Sequence, residues 1–159
     1  MTVPEVDYSK IDDVSEEASR LFKVNMRLEF ALKDVGFFVP GRRAVAEVDW
    51  VRFANDQLGA DFWQRIKRAD EVQVLIHAPH KKQIVDDSGH LSWQDRGEVV
   101  SVQELIAALN GVRNNLLHGG KSGDPDSNRN ADLIRAALYL VDQVLKEDDV
   151  LHTSFSGAY

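Results

Sequence analysis

The stretch Val112-Arg113-Asn114-Asn115-Leu116-Leu117-His118-Gly119-Gly120-Lys121 reads as the last turns of a helix that starts near Ser101 and stops at a glycine pair. Glycine just past the last periodic residue ends helices because it takes φ > 0 without a Cβ clash. At ~100° per residue, Asn110, Asn114 and His118 form one polar row at i, i+4, i+8. Val102, Leu105, Leu109, Val112 and Leu116 form the apolar stripe beside it. Arg113 and His118 lie about 140° apart on such a helix, so they do not share a face. Only the reach of the Arg side chain and a loosening last turn would bring both groups to one phosphate. Half of this helix is core, and packing does not explain the other half.

A His and an Arg together carry a recognisable chemistry without any metal. A ribonucleotide chain cleaves when its own 2′-hydroxyl attacks the neighbouring phosphate. That step needs a base, an acid for the leaving 5′-oxygen, and positive charge near the phosphoryl oxygens. His titrates close to neutrality and serves as either base or acid. Arg keeps its proton and holds phosphate bidentately. Asn114 is placed to donate to phosphate or to fix the imidazole tautomer. One His does not readily do both proton transfers in a turnover, whereas a symmetric dimer brings two copies of one patch together.

The Arg113-Asn114-x3-His118 pattern, at the C-terminal end of a helix and followed by a Gly stop and another strongly apolar helix, resembles the signature of the HEPN superfamily (higher eukaryotes and prokaryotes nucleotide-binding domains). The resemblance covers the two C-terminal helices well and the N-terminal half only as a general helical pattern. It implies an all-α, up-and-down bundle of four main helices and a homodimer in which paired motifs face each other. It further implies a metal-independent endoribonuclease with Arg113 and His118 as catalytic residues and Asn114 in support. Asn110 and Lys121 join Arg129 and Arg135 as candidates for an RNA- or nucleotide-binding rim. These come from position and charge alone, because the family motif does not mention them.

Composition sets the limits. The 159 residues, 43% of them hydrophobic, suit a single domain over 1–159 with an ordered core at about 10–147. The chain has no cysteine, which excludes structural disulfides and thiolate metal sites and is compatible with a reducing cytoplasm. No apolar run approaches the ~20 residues that span a bilayer, and the N-terminus is too acidic for a signal peptide. A formal charge of -7 argues against a broad basic surface wrapping nucleic acid, DNA included, while leaving room for a small basic cleft.

Taken in order, the apolar spacing predicts a helix from about Ile11 to Phe37. Its stripe is Ile11, Val14, Ala18, Leu21, Leu28, Leu32 and Val35, interrupted by Asn25 and widened by Phe22, Met26 and Phe30. Ser15 before Glu16 and Glu17 suits a helix start. A second helix is expected from about Arg42 to Leu58, bent or broken at Gly59, with Asp61 as N-cap of its continuation. Residues 71–77 read equally as strand or as more helix. Residues 82–94 read as a β-hairpin around Asp86-Asp87-Ser88-Gly89, leaning on the helices through Ile84, Val85, Leu91 or Trp93. Ser101 and Glu104 make a capping-box pattern for the motif helix. A last helix from about Asn128 to Lys146 is apolar over a wide arc. The tail from Glu147 on is acidic, then small and polar, and is expected to be loosely held.

Other constellations rank lower. Gly119-Gly120-Lys121-Ser122 echoes the end of a phosphate-binding loop but follows a helix rather than a strand, so it is read as a stop. His77, His80, Asp86, Asp87 and His90 fit no helical metal-ligand spacing, and the Asp residues already account for the turn. No metal or other cofactor is therefore expected. Glu47 and Asp49 are more often solvated, although a polar residue from the second helix remains a candidate for the cleft. Asn115 is read as solvent-facing. An Arg or His at a helix C-terminus is also favoured by the dipole alone, and that is the plain alternative for Arg113 and His118.

The leading expectation is thus a cytoplasmic ribonuclease of a toxin–antitoxin or antiphage system, with RNA as substrate and an antitoxin or inhibitor protein as a further partner. The alternatives are a non-catalytic module of the same fold that binds RNA or nucleotide, and a regulatory scaffold for another protein.

Overall fold

The computed structural model describes residues 2–117 and 127–158. His118, Lys121 and the predicted Gly119-Gly120 stop lie outside the described residues. The chain is mostly helical, with two small antiparallel hairpins.

Helix α1 spans Glu16–Asp34. The Ser15 hydroxyl accepts the Ala18 N–H at 3.1 Å, satisfying one orphan amide, and Glu16 and Glu17 sit at the positive end of the dipole. Leu21, Leu28 and Leu32 are fully buried. The helix starts later than the periodicity predicts. Ser15, as N-cap, is extended at φ -64 and ψ 157, so Ile11 and Val14 fall outside α1 and are exposed. A 3-10 turn covers Ser9–Asp13, and Asp7 accepts the Ser9 N–H at 2.9 Å. The hydrogen bonds from Ser9 hold the Asp7 carboxyl below its ordinary range. Phe22, Met26 and Phe30 do not widen the core; they form an exposed row.

The helix expected over residues 42–49 is instead a hairpin. Strands β1 (Phe38–Pro40) and β2 (Ala46–Val48) pair antiparallel, closed by Gly41 N–H donating to the Val45 carbonyl at 2.7 Å. Valines at three-residue spacing imitate a helical stripe, but β-branched residues suit a pleat as well. Pro40-Gly41 then turns the chain, with Arg43 and Ala44 at φ 57 and 62. Asp49 caps the helical run that follows, accepting the Arg52 N–H at 3.1 Å.

That run is α2 (Trp50–Arg52), a π-helical turn (Phe53–Leu58) and α3 (Gly59–Ile66). The wider π turn brings residues five apart onto one side, which lets Phe53 and Leu58 both reach the core. The expected break at Gly59 is present, at φ 68. Asp61 lies in the first turn of α3 and is not its cap. The ambiguous segment is helical, as a 3-10 turn at Asp70–Val72 and α4 at Gln73–His77.

Strands β3 (Lys82–Val85) and β4 (Leu91–Gln94) form the expected hairpin. Asp86 accepts the N–H groups of Ser88 and His90 at 2.9 Å each. The hairpin leans on the helices less than expected, because Val85 and Leu91 are exposed and only Ile84 is half-buried.

Helix α5 spans Val102–Leu117 and α6 spans Ser127–Glu147. The capping box holds with one offset. Ser101 Oγ accepts the Glu104 N–H at 3.2 Å, while the Glu104 carboxylate takes the N–H of Val100 at 2.7 Å. Leu105 and Leu109 of α5 and Leu133 and Leu140 of α6 are all buried in one core, each contributing roughly 1.5–3 kcal/mol.

The tail is not loose. Asp148 caps a further helix, α7 (Asp149–Ser156), whose Leu151 is fully buried. Arg27 of α1 donates to the carbonyls of Phe155 at 2.8 Å and Ser154 at 3.0 Å, and Ser154 Oγ donates to Asp34 at 2.7 Å. Arg27→Ala is expected to cost about 1–2 kcal/mol and to raise amide exchange in α7 selectively. Unchanged exchange there would remove this latch.

Candidate functional site at the α1–α5 seam

Arg113 sits on the buried arc of α5. At ~100° per residue it falls within about 20° of Ile106 and 40° of Leu109, both buried. Such a position is costly for a guanidinium unless it is paired, and the partner comes from α1. Arg113 Nη2 lies 2.9 Å from Glu29 Oε1, with the two side chains 24% and 28% exposed. Arg113 Nε is buried without a hydrogen-bond partner among the described residues. One helical turn before Glu29, Asn25 is 4% exposed, and its Nδ2 donor is likewise unmatched among them. Two uncommitted donors thus border one charge-assisted pair in the same seam. A helix-end surface Arg answering the dipole would lie on the solvent arc, and this one does not.

The other expected residues divide. Asn114 is exposed and Asn110 half-buried on the same helix. His118 and Lys121 lie outside the described residues. Arg129 Nη2 donates to the carbonyls of Ala78 at 3.0 Å and Pro79 at 2.6 Å. Arg135 pairs with Glu17 at 3.2 Å and Asp132 at 2.9 Å, bridging α6 to α1. Asn115 is not solvent-facing. It is half-buried, and its Nδ2 donates to the Lys81 carbonyl at 3.1 Å. Asn115 and Arg129 together secure residues 78–81 against α5 and α6.

That anchoring drives His80 inward to 1% exposure. Its imidazole occupies the space beside Gly111 where a Cβ would otherwise sit. Nearby, His80, Val112, Asn115 and Asn130 line a cavity of about 30 Å³, room for a water and far too small for a nucleotide. A larger cleft of about 310 Å³ lies at the other end of α5, between Arg96, Glu98, Glu104 and Ala108. Arg113 does not line it.

The carboxylates of the hairpin do not reach Arg113. Asp49 is committed to its cap and to Arg52 at 3.4 Å, and Glu47 lies over Gly41. The acid that does reach the motif is Glu29. Its signal was a pair of polar residues, Asn25 and Glu29, spaced i, i+4 beside an otherwise apolar face. His77 is exposed against Glu98 at 3.3 Å and Gln73 at 3.0 Å. Among the described residues, no three acidic or imidazole side chains converge as a metal site would require.

Chemically, the seam offers a part-exposed guanidinium fixed in orientation by Glu29 in the last turns of α5. Comparison of the chain with protein families, with curated proteins and with solved structures gives no match.

Proposed function

We propose that this chain is a HEPN-type, metal-independent endoribonuclease that works as a homodimer, with Arg113 stabilising charge on the phosphorane and His118 transferring protons. The observation that carries the reading is the placement of Arg113: half-buried, paired with Glu29, and at the α5 end that leads to His118. A preorganised cation in a partly dry site acts on developing phosphoryl charge more strongly than a solvated one does. Asn114, exposed on the next residue, is free to meet RNA. Two motifs facing across a dyad supply one imidazole as base and the other as acid. No helix among the described residues is long and apolar enough to cross a membrane. The setting we propose is cytoplasmic, in a toxin–antitoxin or antiphage system with an inhibitor protein holding the nuclease in check.

The test is RNA cleavage in the presence of chelator, with products bearing 2′,3′-cyclic phosphate. His118→Ala is expected to slow cleavage by about 10²–10⁴-fold with the fold and oligomeric state unchanged. Cleavage that persists in both His118→Ala and Arg113→Ala would overturn the assignment. One observation favours a second reading: Glu29 neutralises Arg113 in a chain already carrying a charge of -7. A non-catalytic module binding RNA or nucleotide through Arg113 would show Arg113-dependent binding and no turnover.

A further inference from the structure

Two largely exposed apolar surfaces lie in the first 30 residues, with Arg27 stacked over Phe30 at 4.5 Å in one of them. The first is the row on α1 formed by Phe22, Met26 and Phe30, which are 45%, 60% and 46% exposed. The second is the arm before α1, residues 2–14, every one of which is exposed. That arm is not a plain polar leader. It carries Val3, Val6, Tyr8, Ile11 and Val14, all of them exposed.

Charge matches the two surfaces. The arm holds Glu5, Asp7, Asp12 and Asp13 against a single Lys10. The row on α1 is bordered by Lys23 and Lys33, about 60° and 20° from Met26 around the helix. Neither lysine has an ion pair among the described residues. Arg27, the next cation along, is committed to α7.

Area points to the same pairing. The exposed row offers roughly 300 Å² of apolar surface, well short of the ~800 Å² per partner of a stable interface. The five apolar side chains of the arm add on the order of 500 Å². In a reciprocal exchange each chain buries its own row and a matching area of its arm, roughly 600 Å² of apolar surface before flanking polar atoms are counted, twice what a one-way contact gives.

We propose that the acidic, apolar arm of one chain docks along the Phe22–Met26–Phe30 row of a second copy, and that the exchange is reciprocal. Glu29 lies about 20° from Phe22 around α1, so the docked arm runs beside the Arg113–Glu29 pair. The exchange brings both copies of the seam to one interface. This rests on the homodimer in the reading above and not on its chemistry.

The absence of native cysteine makes the test direct. Chains carrying Ile11→Cys and chains carrying Met26→Cys are mixed and oxidised. The expected result is a disulfide between the two different chains, forming about tenfold faster than cross-links in either variant alone. By sedimentation, Met26→Asp is expected to weaken the dimer about 30-fold while the chain keeps its helical circular dichroism, the melting temperature falling only by what lost association accounts for. Added salt is expected to weaken the wild-type dimer by screening the arm. A monomer across the micromolar range, or a dimer indifferent to Met26→Asp, overturns the proposal. So does a disulfide confined within one chain carrying both cysteines, which places the arm on its own helix. RNA cleavage by a dimer indifferent to Met26→Asp would sink the arm and spare the nuclease. An arm-linked dimer without cleavage would do the reverse.

Discussion

Gly111→Ala is expected to destabilise the protein by about 3 kcal/mol, lowering the melting temperature by roughly 6–12 °C. Helix propensity alone predicts the opposite sign, since Ala is favoured over Gly inside a helix by ~1 kcal/mol. Packing decides. A Cβ at position 111 would fall inside contact distance of His80 Cε1 and Nε2. The ring has little room to retreat at 1% exposure, with its segment tied down by Asn115 and Arg129. The double variant Gly111→Ala/His80→Ala is expected to lose less than the sum of its parts. Thermal or urea unfolding checks both claims, and a stabilised Gly111→Ala would show that the imidazole is not held where it lies.

The second large effect concerns Arg113. On stability, Arg113→Ala leaves Glu29 half-buried and unpaired, at a cost of about 1–2 kcal/mol after allowance for partial exposure. A double-mutant cycle with Glu29→Ala is expected to return a coupling of ~1 kcal/mol. On activity, Arg113→Ala is expected to slow RNA cleavage by about 10³-fold. Arg113→Lys should not restore it, because an ammonium lacks the planar fork. Glu29→Gln isolates the positioning role: cleavage about tenfold slower, with the pH profile unmoved because no titrating group of the reaction has changed. Faster cleavage in Glu29→Gln would mean the carboxylate occupies the place of the scissile phosphate and holds the site closed.

The parts of the fold that were legible in the sequence are those governed by local rules. The stripe of α1, the Ser15 cap, the Ser101–Glu104 box, the hairpin around Asp86 and the wide apolar arc of α6 all follow from spacing and turn chemistry. Valines 45, 48 and 51 misled because three-residue spacing does not separate a helix from a short pleated pair turned at Pro40-Gly41. Helix α7 had its signals, an Asp148 cap and a Gly157 stop, but they were outweighed by the polar residues around them. The candidate site was half legible. Arg113 stood out by its pattern with His118, while Glu29 joins it only through the packing of α1 on α5. No local rule pairs residues so distant in the chain. Asn115 shows the converse. Its place in the sequence suggested a solvated amide, and tertiary structure uses it to tether a loop.

The joint between α1 and α7 has a consequence during synthesis. The face of α1 against which α7 packs, and the guanidinium of Arg27 that reaches the carbonyls of Ser154 and Phe155, are translated roughly ten seconds before α7 emerges from the ribosome. Until then that face of the first helix is uncovered, so a nascent chain stalled or clipped before Asp148 becomes a natural client for chaperones.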